Sequence, residues 1–288
     1  MAQADKYSIQ NLKHDFPNDD VCLDYLFDTL HSRKCSCGGK YRRLQGRLQF
    51  QCSKCRFQIA PMTGTLFEKS TTPLTLWFHA IFIFSNAKSG ISAKEMERQL
   101  GVTYKTAWRI LKLIRSSLKQ SDKKLKGDVE MDEGYIGGRF RSGKGNKKRI
   151  EAAAAKSVVL GAVERNGEIR VKTAQTASSI TIGRFLEENI EKENTRLLTD
   201  ESNRYDRVAR SYYRLSINHK RNEFARGDVH INTIESFWGH IKKSITGTHK
   251  VISKKHLQSY LDGFVFHYNN RHSDKERFSA LLGAVLQH

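Results

Sequence analysis

Two closely spaced cysteine pairs constrain this chain more than any other feature: Cys35-Ser-Cys37 and Cys52-Ser-Lys-Cys55, joined by the basic, alternating segment YRRLQGRLQF. Thiolate pairs on turns at either end of a short hairpin suit a tetrahedral, structural Zn2+ site. A hairpin this small has too few apolar side chains to hold itself, so the metal must supply its folding energy. Clustered thiols and an N-terminus, MAQADKYSIQ, without the apolar core of a signal peptide point to metal binding in a reducing compartment. The single residue between Cys35 and Cys37 is one fewer than usual, which leaves His31 or Cys22 open as a substitute ligand.

The formal net charge is +20, and the excess is spread over both halves of the chain. Such a chain attracts polyanions, of which duplex DNA is the commonest. RNA-binding proteins share this balance, so charge alone does not decide. The most apolar stretch, Leu74–Phe84, is about half the length that spans a bilayer and contains His79. It is expected to be a buried helix starting near Pro73, and the protein to be soluble, cytoplasmic and free of membrane.

Downstream, Ser92-Ala-Lys-Glu95 has the form of a capping box and opens a short helix. Gly101-Val102 makes a turn, and Thr103 can cap a second helix, YKTAWRILKLIRSSL, with Ala107, Ile110, Leu111 and Ile114 at helical spacing. Tyr104, Lys105, Thr106 and Arg109 then fall on the open side. That is the layout of a helix-turn-helix, whose second helix enters the major groove of double-stranded DNA. An ordinary pair of helices with a wet basic face is the plainer alternative.

From Gly127 the pattern changes. DVEMDEGYIGG alternates as a half-buried strand, with Val129 and Met131 facing one way and Glu130 and Asp132 the other. A basic, glycine-bearing loop, RFRSGKGNKKR, follows. SVVLGAVERNG and EIRVKTAQT form a hairpin turning at Arg165-Asn166-Gly167. TIGRFLEENIEK reads as an amphipathic helix, TRLLTDES as a strand running into Asp200, RVARSYYRL as helical and YRLSINH as a short strand. NTIESFWGHIKKSI is a helix, and a longer helical region runs from Lys254 to the C-terminus. This order predicts an α/β (α+β) fold: an RNase H-like mixed sheet flanked by helices, preceded by a zinc ribbon and a helical helix-turn-helix domain. The expected boundaries are residues 1–70, 71–126 and 127–288.

In that order an acid ending the first strand, an acid after the fourth and an acid on a late helix converge, here Asp132, Asp200 and Glu235. Three such carboxylates hold two Mg2+ ions, with Mn2+ able to substitute, for phosphoryl transfer. Glu130, Glu133, Glu201, Asp206 and Asp228 are competing acids nearby. On the late helix Ile234, Ile241 and Ile245 form the buried stripe. Glu235, Trp238 and Lys242 share a neighbouring face, so Lys242 can meet a phosphate while Trp238 packs in the core.

CSCGG, FQCSKCRFQIAPMTGTLFEKSTTPLTLWF, VEMDEGYIGG, LLTDES and HINTIESFWGHIKKSITGTHK together resemble the zinc-ribbon-bearing DDE transposases of bacterial insertion sequences, over roughly residues 20–280. The resemblance implies a DNA transposase, a nuclease and strand transferase. Such an enzyme binds terminal inverted repeats, cleaves there and joins 3′-OH ends to target DNA, as a homo-oligomer on DNA associated with the bacterial nucleoid. It implies Asp132, Asp200 and Glu235 as the acids and Lys242 as the accompanying basic residue. Relatives with Asn or His in the third place keep Asn232 open as a rival to Glu235. A domesticated, non-catalytic sequence-specific DNA-binding regulator is the alternative from another class, and an RNase H-like nuclease or resolvase a third.

Overall fold

Contacts divide the chain into two units, one of the residues up to Lys119 together with those from Asn270 onward, the other Gln120–Asn269. The computed structural model describes residues 6–137, 156–218, 223 and 225–287; the basic loop expected at 139–149 lies outside them.

In the first unit α1 (Ile9–Asp15) and α2 (Asp19–Leu30) precede the cysteine hairpin. Sequence reading did not foresee either helix, although Ser8 and Asn18 cap them through Asn11 and Val21 N–H. The hairpin is a small antiparallel sheet of β1 (Tyr41–Arg43), β2 (Phe50–Cys52) and β3 (Gln58–Ile59). Phe27 of α2 stacks on Phe50 with ring centroids 4.0 Å apart, giving the sheet an apolar backing it cannot make alone. The apolar stretch forms α3 (Leu74–Asn86), with Trp77, Phe78 and Ile81 buried. Next come α4 (Ala93–Leu100), capped by Ser92, and α5 (Tyr104–Ser117), capped by Thr103. Gly101 closes α4 at φ +66°, a left-handed turn that a side chain would strain.

The second unit is built on β4 (Leu125–Ile136), β5 (Ser157–Glu164) and β6 (Ile169–Ala174), then α6 (Ser179–Asn189), β7 (Ile190–Thr199), α7 (Arg204–Val208) and β8 (Tyr213–Ser216). After these come α8 (Asn232–Ser244), which runs on into one π turn at Ile245–His249, and α9 (Lys254–Asn269). The sheet order is β6-β5-β4-β7-β8, with β4, β5 and β6 antiparallel and β7 and β8 parallel to β4. This is the mixed sheet expected from the order of elements. The switch to parallel pairing requires a crossover, which α6 supplies. Period-two alternation divides the apolar residues between two layers. Val129, Met131 and Leu160 pack with Ile182, Phe185 and Leu186 of α6. Val159, Val163 and Ile169 pack with Ile234, Trp238 and Ile241 of α8 and with Leu257 and Leu261 of α9.

Several bounds differ from the sequence reading. The helix expected through Lys192 stops at Asn189, and a ten-residue strand begins at Ile190, because β7 pairs with β4 from Leu125 onward. The helical segment expected at Arg207–Leu215 is only α7, and β8 starts at Tyr213. The expected C-terminal helical region is broken between Asn269 and a last helix, α10 (Asp274–Leu286), which Ser273 caps. Contacts place α10 in the first unit, whereas sequence reading ran the rear domain to residue 288. Phe278 stacks on Tyr7 with ring centroids 5.0 Å apart, and Arg277, 1% exposed, donates through its guanidinium to the carbonyls of Ser85 (3.1 Å) and Asn270 (3.0 Å) and to Asp274 (2.9 Å). A buried guanidinium satisfied in this way fixes its helix to α3.

Candidate functional site

Glu130 of β4 lies opposite Leu198 of the parallel strand β7. Two residues further along, Asp132 and Asp200 therefore stand side by side at the end of the pairing. Carboxylate oxygens of Asp132, Glu133 and Asp200 all lie within 4.8 Å of one another. The Ser202 N–H donates to the Asp200 carboxylate at 3.0 Å, and Arg214 donates to its carbonyl at 3.0 Å. Glu133 accepts from the buried Tyr205 hydroxyl at 2.8 Å and from Arg204 at 3.3 Å. Burial pushes the Asp132 carboxyl up to about 7, and the negative charges of Glu133, Asp200 and Glu235 add to that. Crowded hard oxygen donors of this kind fit a divalent cation.

Glu235 is thus near enough to act electrostatically on Asp132, but it is not one of the three carboxylates in the tight cluster. Glu133 takes that place. It was legible only as a competing acid, because alternation along β4 sends it to the opposite face from Asp132. Asn232, the rival third residue, is exposed at the first position of α8.

What sets α8 in place is Glu130, legible in the sequence only as a competing acid on the Asp132 face. Ile231 offers no side-chain cap to this helix. Instead the fully buried carboxylate of Glu130 accepts from the N–H groups of Thr233 (2.8 Å) and Ile234 (3.1 Å) and from the Thr233 hydroxyl (2.9 Å). Arg165 donates to it at 2.9 Å, and His230 lies 3.4 Å away. A carboxylate aimed at a helix N-terminus complements its partial positive charge. Further along, Trp238 packs over the sheet as expected, 3% exposed. It fits because Gly161, paired with Asp132, has no side chain: a Cβ there would come within 2.6 Å of the indole. Lys242 is exposed and lines a basic cleft that also includes Glu133.

The four cysteine sulfurs Cys35, Cys37, Cys52 and Cys55 also lie within 4.8 Å of one another, with Cys35–Cys55 at 3.7 Å and Cys37–Cys52 at 3.4 Å. A tetrahedral zinc with bonds of about 2.3 Å spaces its sulfurs about 3.8 Å apart, so the donor set fits the metal. A hydrogen bond from Tyr41 pulls the Cys35 thiol down to about 6, whereas at Cys55 the hydrogen bond from the Phe57 backbone is outweighed by those with Cys37 and Cys52, which push the thiol up to about 12. Cys22 is buried in α2 and burial pushes its thiol up to about 12, so it stands apart from the cluster.

On α5 the four expected DNA-facing residues divide. Tyr104 is 50% exposed and Lys105 is open. The Thr106 hydroxyl is 3.0 Å from that of Thr103, within the helix cap. Arg109 folds back, donating to Thr72 at 3.2 Å and Ser70 at 3.5 Å, with its guanidinium 5.8 Å from the Trp77 ring centre. Trp108, which helical spacing alone did not single out, stands 44% exposed with the Lys112 ammonium 5.4 Å from its ring centre.

Residues 124–269, β4 through α9, match the ISXO2-like transposase domain. The chain belongs to the ISXO2-like transposase family. It is also 29% identical, over 78% of its length and 79% of the relative's, to an uncharacterized protein in transposable element ISH50 of Halobacterium salinarum. Among solved structures it is similar to the Mos1 strand transfer complex, at 12% identity and TM-score 0.31, covering 72% of this chain and 74% of that one. For a pre-cleavage Mos1 transpososome the values are 11%, 0.29, 73% and 79%. The ISXO2-like domain takes in Asp132, Asp200, Glu235 and Lys242, while the cysteine cluster and α5 lie outside it. Among the described residues no helix of this transposase is long and apolar enough to cross a membrane.

Proposed function

We propose that this transposase binds the terminal inverted repeats of its element, cleaves DNA there and joins the 3′-OH ends to target DNA at a site made of Asp132, Asp200 and Glu235. The observation that carries this reading is the crowding of the Asp132, Glu133 and Asp200 carboxylates within 4.8 Å of one another where β4 and β7 end their pairing, with Glu235 near enough to add its charge at Asp132. Such a site costs stability unless it holds cations. Asp132 and Asp200 would hold Mg2+ or Mn2+ with Glu235, and Glu133 braces them through Tyr205 and Arg204. Two bound divalent ions supply the stabilisation of attacking and leaving oxygens that in-line phosphoryl transfer needs.

The remaining work belongs to the chain. Lys242, two turns beyond Glu235 on α8, positions a DNA phosphate near the carboxylates. Tyr104 and Lys105 on α5 contact duplex DNA, with Thr106 holding the cap that sets the first turn. The four cysteines hold a structural zinc. Cutting both element ends and joining them calls for a homo-oligomer on DNA.

The test is a cleavage and strand-transfer assay on DNA carrying the element's own ends, with Mg2+ or Mn2+. Asp132→Asn, Asp200→Asn and Glu235→Gln should each abolish nicking and joining while leaving end binding nearly intact, and Lys242→Ala should slow both. Full activity in Glu235→Gln with a dead Asn232→Ala would move the third ligand to Asn232. Specific end binding without any cleavage by the wild-type chain would make it a DNA-binding regulator.

A further inference from the structure

Beside the carboxylates lies a cleft of about 520 Å3, bounded by the end of β4, the C-terminal part of α8, the π turn and the segment after it. Three ammonium groups line it, on Lys156, Lys242 and Lys250, and all three residues are exposed. None of the three makes an ion pair among the described residues, whereas Glu133, on the same wall, is already taken by Tyr205 and Arg204. Tyr135, 43% exposed, stands on the wall, and Ile136 and Ile252 form an apolar floor. Two backbone irregularities build the rim. The helix carrying Lys242 loosens into the π turn Ile245–His249, and Lys250 then takes φ +63°, in the region that side chains avoid. π turns and strained residues of this kind gather at functional sites, where surrounding structure holds them.

We propose that this cleft takes an unpaired nucleotide of the DNA strand, its phosphates on Lys156, Lys242 and Lys250 and its base against Tyr135. The inference rests on the proposed function, since it supplies a seat for substrate next to the reacting carboxylates. Charge selects a polyanion, but charge alone would suit a flat basic face. The cleft is of the size of small-molecule pockets, roughly 300–1,000 Å3, into which a stacked base pair cannot enter. An aromatic wall with an apolar floor offers a base the stacking surface that single-strand binding sites use. Lys156 and Lys250 therefore act on how an unpaired strand is held, apart from the chemistry at Asp132.

The experiment uses the full-length protein without divalent cations and a single-stranded oligothymidylate of about ten nucleotides carrying 5-iodouracil, with the matching duplex as comparison. After irradiation, the crosslinked peptide is identified by mass spectrometry. The single strand should crosslink at Tyr135 and the duplex should not. In the doubly substituted Lys156→Gln, Lys250→Gln protein, crosslinking at Tyr135 should fall several-fold. The slope of log K against log salt for the single strand should shrink by about 1.4, at about 0.7 per lost phosphate contact. Both lysines are exposed, so the variant should fold as wild type does. Crosslinks confined to other residues, equal crosslinking of duplex at Tyr135, or an unchanged salt slope would overturn the proposal. Asp132→Asn separates the two readings. It should lose cleavage and keep the crosslink; retained cleavage would sink the active-site assignment and leave the cleft standing.

Discussion

Glu130 on β4 and Thr233 on α8 are joined by two hydrogen bonds, the Thr233 N–H donating at 2.8 Å and its hydroxyl at 2.9 Å to one buried carboxylate. This link ties the strand that carries Asp132 to the helix that carries Glu235, two residues from each. Glu130→Ala would leave the α8 N-terminus uncapped and Arg165 without its buried partner. Removing one member of a buried pair costs about 3–5 kcal/mol. Thr233→Ala keeps the backbone donor and loses only the hydroxyl, so about 1 kcal/mol is expected. Urea unfolding followed by circular dichroism measures both, and equal, small losses would show that Glu130 does not anchor the helix.

The raised Asp132 carboxyl makes stability depend on pH with a definite sign. Its folded value, about 7, lies above the ordinary 3.8, so as pH rises the unfolded chain gives up this proton first. The stability tied to this group is intact below the ordinary value, declines up to about 7 and is level above it. Metal-free protein should therefore melt lower at about pH 8 than at about pH 5, and Mg2+ should raise the melting temperature more at the higher pH. Asp132→Asn should flatten both trends. Thermal melts with and without chelator decide it, and an Mg2+ effect of the same size at both pH values would count against a cation at Asp132.

Gly161→Ala should destabilise the second unit by roughly 1–3 kcal/mol through overpacking against Trp238. The added Cβ would meet the indole at 2.6 Å, and the ring, buried between α8 and the sheet, has little room to yield. Tryptophan fluorescence and thermal melting report it. Unchanged stability would mean that α8 can lift off the sheet at little cost.

Removing zinc should unfold the cysteine hairpin, because its three strands are only two or three residues long. Metal analysis of unchelated protein should find about one zinc per chain, held by four cysteines. Cys52→Ser or Cys55→Ser should lose it. Zinc retained by both variants would rule out the four-sulfur site.

On α5 the exposed aromatic should matter more to DNA than the arginine that folds back. Trp108→Ala is expected to weaken duplex binding more than Arg109→Ala does, since Arg109 is held by Thr72, Ser70 and Trp77. Lys112→Ala should lower the salt slope of duplex binding by about 0.9, the value for one phosphate contact. Fluorescence anisotropy at several salt concentrations tests both, and a larger loss for Arg109→Ala would return that residue to the interface.

Local chemistry was enough for much of this protein. Hydroxyl caps at Ser92 and Thr103, the left-handed Gly101 and the turn at Asn166 are written in short stretches of sequence, since each depends on neighbours a few residues away. The cysteine cluster was legible for the same reason. Alternation along β4 placed Glu130 and Asp132 on one face, and the order of strands and helices gave the mixed sheet. Tertiary structure alone decided which charges meet. That Glu130 would cap α8 from more than a hundred residues away, and that Glu133 would close on Asp132 and Asp200, depends on how α7 and α8 seat on opposite faces of the sheet. It also decided that Arg109, still exposed, reaches back to Thr72 and Ser70, that Gly161 makes room for Trp238 and that α10 joins the first unit. Each of these rests on contacts between distant segments, and periodicity names the face a residue occupies without naming what it will meet.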